Sequence, residues 1–387
     1  MGIGKDQIGC ECGAEWLPSG GVGLPRMLAA IELATRSVCL EMYIFQASGP
    51  GEEFRQALVS AAERGVRVRV LLDALGSGRL GEEYWRTLIR AGGEVRIFHR
   101  MRSRLAMVRD HRKMLICDGR LAFVIGFNIG SVYDGDGVEA GWRDTGVLLE
   151  GAPAIELQRL FEEQYAVAAM RHPTSARLLR RREQPTSECG GEVRILPVTP
   201  GRGPSCMTTA IEKDLSEAAR TGGEVVIVSP YLVPTPPLRR AFRKSVHNGV
   251  RLQLVVPLQN DVRISQLASR RLYAGFLRAG IDILEYTPQM LHSKVFLFPH
   301  AVYVGSSNLD PRSLHLNFEV MVRLTGEKVL AQARADVSDL VRRSRPVDRR
   351  QWARSRSWWM RVREEWAFWV LYRIDPWVTA WAAGSVR

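Results

Sequence analysis

Short apolar runs alternate along the chain with longer segments of helical period. "GVRVRVLLD" at 65–73 has the length and β-branched content of a buried strand, and "GEEFRQALVSAAERG" at 51–65 before it carries apolar residues at helical spacing. The same phrase returns downstream. "GVRLQLVVP" at 249–257 answers 65–73, "RAGIDILEY" at 278–286 answers "RAGGEVRIF" at 90–98, and "VSPYLV" at 228–233 answers "LEMYIF" at 40–45. The offsets, 184, 188 and 188 residues, are nearly constant, which marks a duplicated unit. Alternation of strand and helix in each copy predicts an α/β fold with a mostly parallel sheet covered on both faces. Between the copies, 171–191 mixes Pro, Ser, Thr and Arg without a period and reads as a linker. The expected organisation is therefore one domain over 1–170, a second over 192–345, and a tail over 346–387.

The repeat also doubles a polar cluster. "HRKMLICDGRLAFVIGFN" at 111–128 and "HSKVFLFPHAVYVGSSN" at 292–308 each place His, one spacer, Lys, an apolar strand and then Asn after a small-residue turn. Read as a strand, His111 and Lys113 share a face about 7 Å apart, as do His292 and Lys294. Only seven histidines occur in the chain, so the doubling carries weight. A phosphodiester is anionic, and Lys with Asn supplies the cations and amide donors its oxygens need. Imidazole can attack phosphorus, and a second imidazole can protonate the leaving oxygen. Two such halves would build one symmetric site without metal or other cofactor. Glu41 could line it, Asp73 could face it or cap the segment that follows, and Tyr231 and Arg312 are candidate head-group contacts. His99, His172, His247 and His315 have no evident partners.

Composition narrows the class. Of 387 residues 46% are hydrophobic and 25% charged, as in a globular protein, and the apolar run "WAFWVLY" at 366–372 is too short to span a bilayer. The N-terminal segment lacks an apolar core or cleavage site, which points to the cytoplasm. Six cysteines form no CxxC pair, and Cys10 with Cys12 has no neighbour at zinc spacing. The net charge of +13 is concentrated: 342–363 holds nine arginines and one acid, Asp348. Seven of the ten tryptophans fall in 352–381, and on a helix Trp358, Val362, Trp366, Trp369 and Tyr372 share a face beside Arg361 and Arg363. Such a helix suits an anionic membrane surface, although aromatics among basic residues also stack on nucleic-acid bases.

His111-x-Lys113-x4-Asp118 followed by Asn128, with His292-x-Lys294 followed by Ser307 and Asn308, resembles the double motif of the phospholipase D superfamily. "GSSNLDPRSLHLNFE" at 305–319, "WRDTGVLLEG" at 142–151 and the Trp/Arg tail resemble its bacterial cardiolipin synthase branch. The resemblance implies two tandem α/β/α sandwiches with pseudo-two-fold symmetry sharing one active site. It implies His111 as nucleophile through a phosphohistidine, His292 as general acid and then base, and Lys113, Lys294, Asn128, Ser307 and Asn308 around the phosphoryl oxygens. Asp118 completes the first motif; the second has Pro299 at that place, and with the orienting carboxylates elsewhere Asp118 reads as a turn residue and Pro299 with His300 as an alternative turn. Asp144 and Glu319, each just past an Asn strand, are the carboxylates that would accept a histidine N–H. The implied activity is transfer of a phosphatidyl group from phosphatidylglycerol to a second phospholipid hydroxyl, on phosphatidylglycerol or phosphatidylethanolamine, at the inner face of the cell membrane with no nucleic acid. Hydrolysis of phospholipids, or of nucleic-acid phosphodiesters, stands as the alternative.

Overall fold

Strands form where β-branched and aliphatic residues run together, and each half of the chain gathers its strands into one sheet. A computed structural model describes residues 13–47, 49–78, 80–98, 108–169, 191–201 and 203–374; the expected linker, apart from Gly191, lies outside them, as do His99, His172, Cys10 and Cys12. The first sheet comprises β1 (Ala14–Leu17), β2 (Ser37–Met42), β3 (Arg67–Asp73), β4 (Glu94–Phe98), β5 (Met114–Cys117), β6 (Leu121–Ile125) and β7 (Gly146–Glu150), ordered β1-β7-β6-β5-β2-β3-β4. The second comprises β8 (Val193–Val198), β9 (Glu224–Val228), β10 (Arg251–Pro257), β11 (Asp282–Tyr286), β12 (Val295–Leu297), β13 (Val302–Gly305), β14 (Glu319–Leu324) and β15 (Ser344–Pro346), ordered β15-β11-β10-β9-β12-β13-β14-β8.

The sheets are mixed rather than mostly parallel. β2, β3 and β4 run parallel, but β5 pairs antiparallel with both β2 and β6, and β12 does the same between β9 and β13. The reason is local. Asp118 and Gly119 both adopt positive φ, 56° and 65°, and Arg120 N–H donates to the Cys117 carbonyl at 3.1 Å. So tight a turn joins only antiparallel strands. In the second copy Pro299 and His300 occupy the turn, closed by Phe298 N–H donating to Ala301 O at 2.8 Å.

Alternation along each strand divides the core into three layers. Met114, Ile116, Val295, Val304 and Val320 meet in a central layer between the two sheets, packed by the helices Ala152–Ala169 and Glu327–Arg342. Leu115, Cys117, Val68 and Val70 face an outer layer of the first half, under the helices Gly20–Leu33 and Pro50–Glu63. Leu252, Leu254 and Phe296 face the corresponding layer of the second half. Two helix-covered sheets thus share a central core, which brings the β5 and β12 entry points together.

Candidate active site

His111 and His292 lie just ahead of β5 and β12, at the ends where the two halves meet. The residues 111–113 and 292–294 are not part of the strands, which begin at Met114 and Val295. Each segment instead bonds to the opposite half. His111 N–H donates to Phe318 O at 2.9 Å and Phe318 N–H to Arg109 O at 2.9 Å; in the mirrored place His292 N–H donates to Arg143 O at 2.7 Å and Arg143 N–H to Met290 O at 2.8 Å. The Arg143 side chain continues the seam by an ion pair to Asp336, which also accepts from Trp16 Nε1 at 3.0 Å.

These crossings decide the carboxylate partners. His111 Nδ1 lies 3.0 Å from Glu319 Oε2, and His292 Nδ1 lies 2.5 Å from Asp144 Oδ2. Each histidine is therefore held by the other half's carboxylate, an exchange that sequence spacing leaves open. Both carboxylates are fully buried. Held as Nδ1–H donors, the imidazoles keep the lone pair on Nε2. The two arrangements differ in detail. Glu319 Oε2 also accepts from the Ser306 hydroxyl at 2.5 Å, whereas Gly126 stands at the place of Ser306, and a Cβ there would come within 2.1 Å of Asp144 Oδ1. The longer acid is steadied by a hydroxyl; the shorter needs the space of a glycine.

The lysines are as buried as the carboxylates. Lys113 Nζ donates to His111 O at 2.9 Å and sits 5.3 Å from the Tyr43 ring centroid. Lys294 Nζ lies 3.3 Å from Asp144 Oδ2, 3.3 Å from Gly126 O and 2.6 Å from His292 Nδ1. Burial pushes the Lys113 ammonium down to about 7, against the attraction of Glu319, and lowers Lys294 likewise against Asp144. Burial and then Lys294 lower His292 to about 4, and burial with Lys113 lowers His111 in spite of Glu319. For Glu319 burial works upward, but His111, Lys113 and Ser306 outweigh it and the carboxyl falls below its ordinary range. A pocket that holds its bases neutral and its cations under strain is one that gains from an entering anion.

Asn128 and Asn308 flank the site at matching places. Asn128 Oδ1 accepts from Ile44 N–H at 3.1 Å and its amide donates to the Tyr133 hydroxyl at 2.8 Å. Asn308 Oδ1 is buried with no hydrogen-bond partner among the described residues, and the Ser307 hydroxyl donates to Asn308 O at 3.3 Å. Aromatic rings wall the histidines: Tyr43 lies edge-on to His111 with centroids 4.6 Å apart, and Tyr133, Trp142 and Tyr231 surround His292 at 5.6, 5.5 and 6.2 Å. Tyr43, Tyr133 and Trp142 escaped the sequence reading; the one signal for Trp142 is its place two residues before Asp144.

Asp118 is a correction. It stands at the far end of β5 from His111, where its carboxylate accepts from the backbone N–H groups of Thr35, Arg36 and Ser37 at 3.0, 2.7 and 2.9 Å. These bonds hold its pKa low in spite of partial burial. It anchors the turn to the loop before β2 and touches neither histidine, so its inclusion with the catalytic residues is withdrawn. Pro299 in the second copy lies at the same remote turn, and its missing carboxylate takes nothing from the histidines. Asp73 accepts from Asp110 N–H at 2.9 Å and from Leu75 N–H at 2.8 Å and pairs with Arg109 at 3.4 Å, fixing the segment that leads into His111. Asp110 is pushed up to about 6 by burial, beside Glu41 and Asp73.

The C-terminal helix Trp358–Trp369 docks through Ala367 and through Glu364, which pairs with Arg356, while Phe368, Leu371 and Tyr372 pack on the second half's outer layer. Its other face is bare: Trp358, Trp359, Trp366 and Trp369 are 61%, 62%, 60% and 52% exposed. Among the described residues no helix is long and apolar enough to cross a membrane.

Comparison with known proteins agrees with this geometry. A family model described as "Cardiolipin synthase, PLD-like domain" matches residues 27–134 and 212–341, more than half of the chain. The chain is 29% identical over 374 residues to the cardiolipin synthase of Halalkalibacterium halodurans, covering 94% of this chain and 72% of that protein. It is 31% identical over 326 residues to the cardiolipin synthase of Alkalihalophilus pseudofirmus, covering 82% and 64%. The chain thus spans about two thirds of the length of such relatives. In fold it matches the crystal structure of phosphatidylserine synthase from Haemophilus influenzae Rd KW20 with a TM-score of 0.74 over 95% of this chain and 94% of that one, at 13% identity.

Proposed function

This chain belongs to the cardiolipin synthase family of phospholipase D-like proteins, and from that premise we propose that it is a phosphatidyltransferase working through a covalent phosphohistidine. The observation that carries the reading is the pair of histidines, each held at Nδ1 by a buried carboxylate of the opposite half and each beside a buried lysine. In the first step His111 Nε2 attacks the phosphorus of phosphatidylglycerol, the bond from phosphorus to the head-group oxygen breaks, and His292 gives that oxygen its proton so that glycerol leaves. In the second, the neutral His292 takes the proton from a hydroxyl of an acceptor lipid, that oxygen attacks phosphorus, and the bond to His111 breaks. Atoms and charge balance with no further reactant.

Lys113, Lys294 and the amides of Asn128 and Asn308 surround the non-bridging oxygens, with Ser307 beside them. The entering phosphodiester adds negative charge to a pocket where burial has lowered both lysines and both histidines. That charge favours the protonated form of the lysines and of His292, the acid that the first step requires, while His111 stays neutral at Nε2 to attack. With phosphatidylglycerol as acceptor the product is cardiolipin; phosphatidylethanolamine is a second candidate lipid, and water would give phosphatidic acid. The bare tryptophan face supports peripheral attachment to the membrane that holds these substrates.

Mass spectrometry of purified protein incubated with phosphatidylglycerol liposomes, with and without phosphatidylethanolamine, tests the proposal. Cardiolipin and free glycerol are expected from the wild type and not from His111→Ala. Phosphatidic acid in place of cardiolipin would make the protein a hydrolase, and no lipid turnover would sink the reading.

A further inference from the structure

A cleft of about 120 Å³ opens at Tyr231, whose ring centroid lies 6.2 Å from that of His292, between the second half and the residues that follow the C-terminal helix. Its walls come from four places in the chain: Tyr231 and Val233 after β9, Val262 and Ser265 at the head of the helix Arg263–Arg278, Asp310, Pro311 and Arg312 after β13, and Leu371 just past the helix Trp358–Trp369. The walls are chiefly aliphatic. Tyr231 forms the end nearest the chemistry, its ring facing His292 and its hydroxyl tied to Asp261 at 2.9 Å. Asp310 and Arg312 place one charge of each sign at the edge of these walls. Leu371 joins the cleft to the segment whose outer face carries the exposed tryptophans.

At the matching place in the first half the backbone closes in around Tyr43. Gly76 lies so close to Tyr43, the repeat counterpart of Tyr231, that a Cβ would stand 2.1 Å from the Tyr43 carbonyl oxygen, and the Ser77 hydroxyl donates to that oxygen at 2.9 Å. The two-fold likeness of the halves is broken here, on the side that also carries the tail.

We propose that this cleft is a subsite for the carbonyl-proximal carbons of one acyl chain of the phosphatidyl group held at the histidines. The inference rests on the phosphatidyltransferase reading above. A mainly apolar slot that begins at Tyr231, against the His292 ring, suits neither a free sugar phosphate nor a nucleotide. The volume admits only the first carbons. The remainder of the chain would run along the tail toward the membrane, so the tail is part of the substrate path as well as an anchor.

A phosphatidylglycerol carrying a diazirine near the carbonyl end of one chain, irradiated with the full chain and mapped by mass spectrometry, tests this. Adducts are expected at 262–265, 311–312 or Leu371, and at least tenfold fewer in Val262→Trp, which fills the cleft from a rim position that is 39% exposed and tolerant of bulk. Adducts confined to the tryptophan face, or undiminished in Val262→Trp, would overturn the proposal. Labelling precedes turnover, so cleft adducts without cardiolipin would refute the transferase reading alone. As a kinetic companion, Val262→Trp should lower the ratio of kcat/KM for dioctanoyl over dibutyryl phosphatidylglycerol at least tenfold, and an unchanged ratio would count against the subsite.

Discussion

Glu319 and Asp144 each fix one imidazole tautomer, and removing the charge while keeping the shape isolates that task. Glu319→Gln and Asp144→Asn should each lower kcat on the order of 10⁴-fold with little change in KM, as replacing an orienting acid does in other histidine sites; steady-state kinetics on phosphatidylglycerol checks this. The pH response follows from the depressed histidine. Between about pH 4 and 6.5 the unfolded chain holds a proton on His292 that the folded chain lacks, so its contribution to stability is complete above 6.5 and is lost as pH falls toward 4. Denaturant midpoints at pH 7 and pH 5 should therefore diverge less in His292→Asn than in the wild type. A phosphate analogue in the site acts oppositely, and vanadate should move the His292 titration, followed by NMR, to higher pH.

At the scale of elements, the β5–β6 hairpin explains both the doubled motif and its defect. Its turn tethers the loop before β2 through Asp118, so Asp118→Ala should cost about 1 kcal/mol of stability, the net worth of exposed hydrogen bonds that water can replace, while phosphatidyl transfer survives; thermal unfolding with an activity assay separates the two. At the other end of the hairpin Gly126→Ala should do the reverse, driving a methyl against Asp144 and lowering kcat as Asp144→Asn does. His111, Lys113, His292, Lys294 and the two asparagines were legible because duplication wrote them twice. Asp118 and Pro299 were legible as turn residues, and Asp118 stood among the catalytic residues as well only because the motif letter put it there. The antiparallel pairing was missed because periodicity reports burial and not direction. The crossed carboxylates and the ring walls of Tyr43 and Tyr133 were out of reach for a related reason: they depend on how two sheets dock, which spacing within one half does not encode.

For the whole molecule, the tail was legible in composition, since its aromatic and basic residues are segregated at one end of the chain. Its docking was not, because Ala367 and Glu364, which face the protein, are unremarkable in the sequence. Trp366→Ser combined with Trp369→Ser should reduce sedimentation with phosphatidylglycerol vesicles at least tenfold with an unaltered melting temperature, since both side chains are exposed. High salt should weaken the wild type in the same assay, because the arginine share of the attraction is screened. The crossed pairing has a further bearing, on inheritance. If genes of two relatives recombined between the halves, each histidine would meet a foreign carboxylate: His292 requires an aspartate opposite a glycine, and His111 a glutamate opposite a serine. Such hybrids should work only where the parents share both combinations, so the two halves are bound to descend together although each folds around its own sheet.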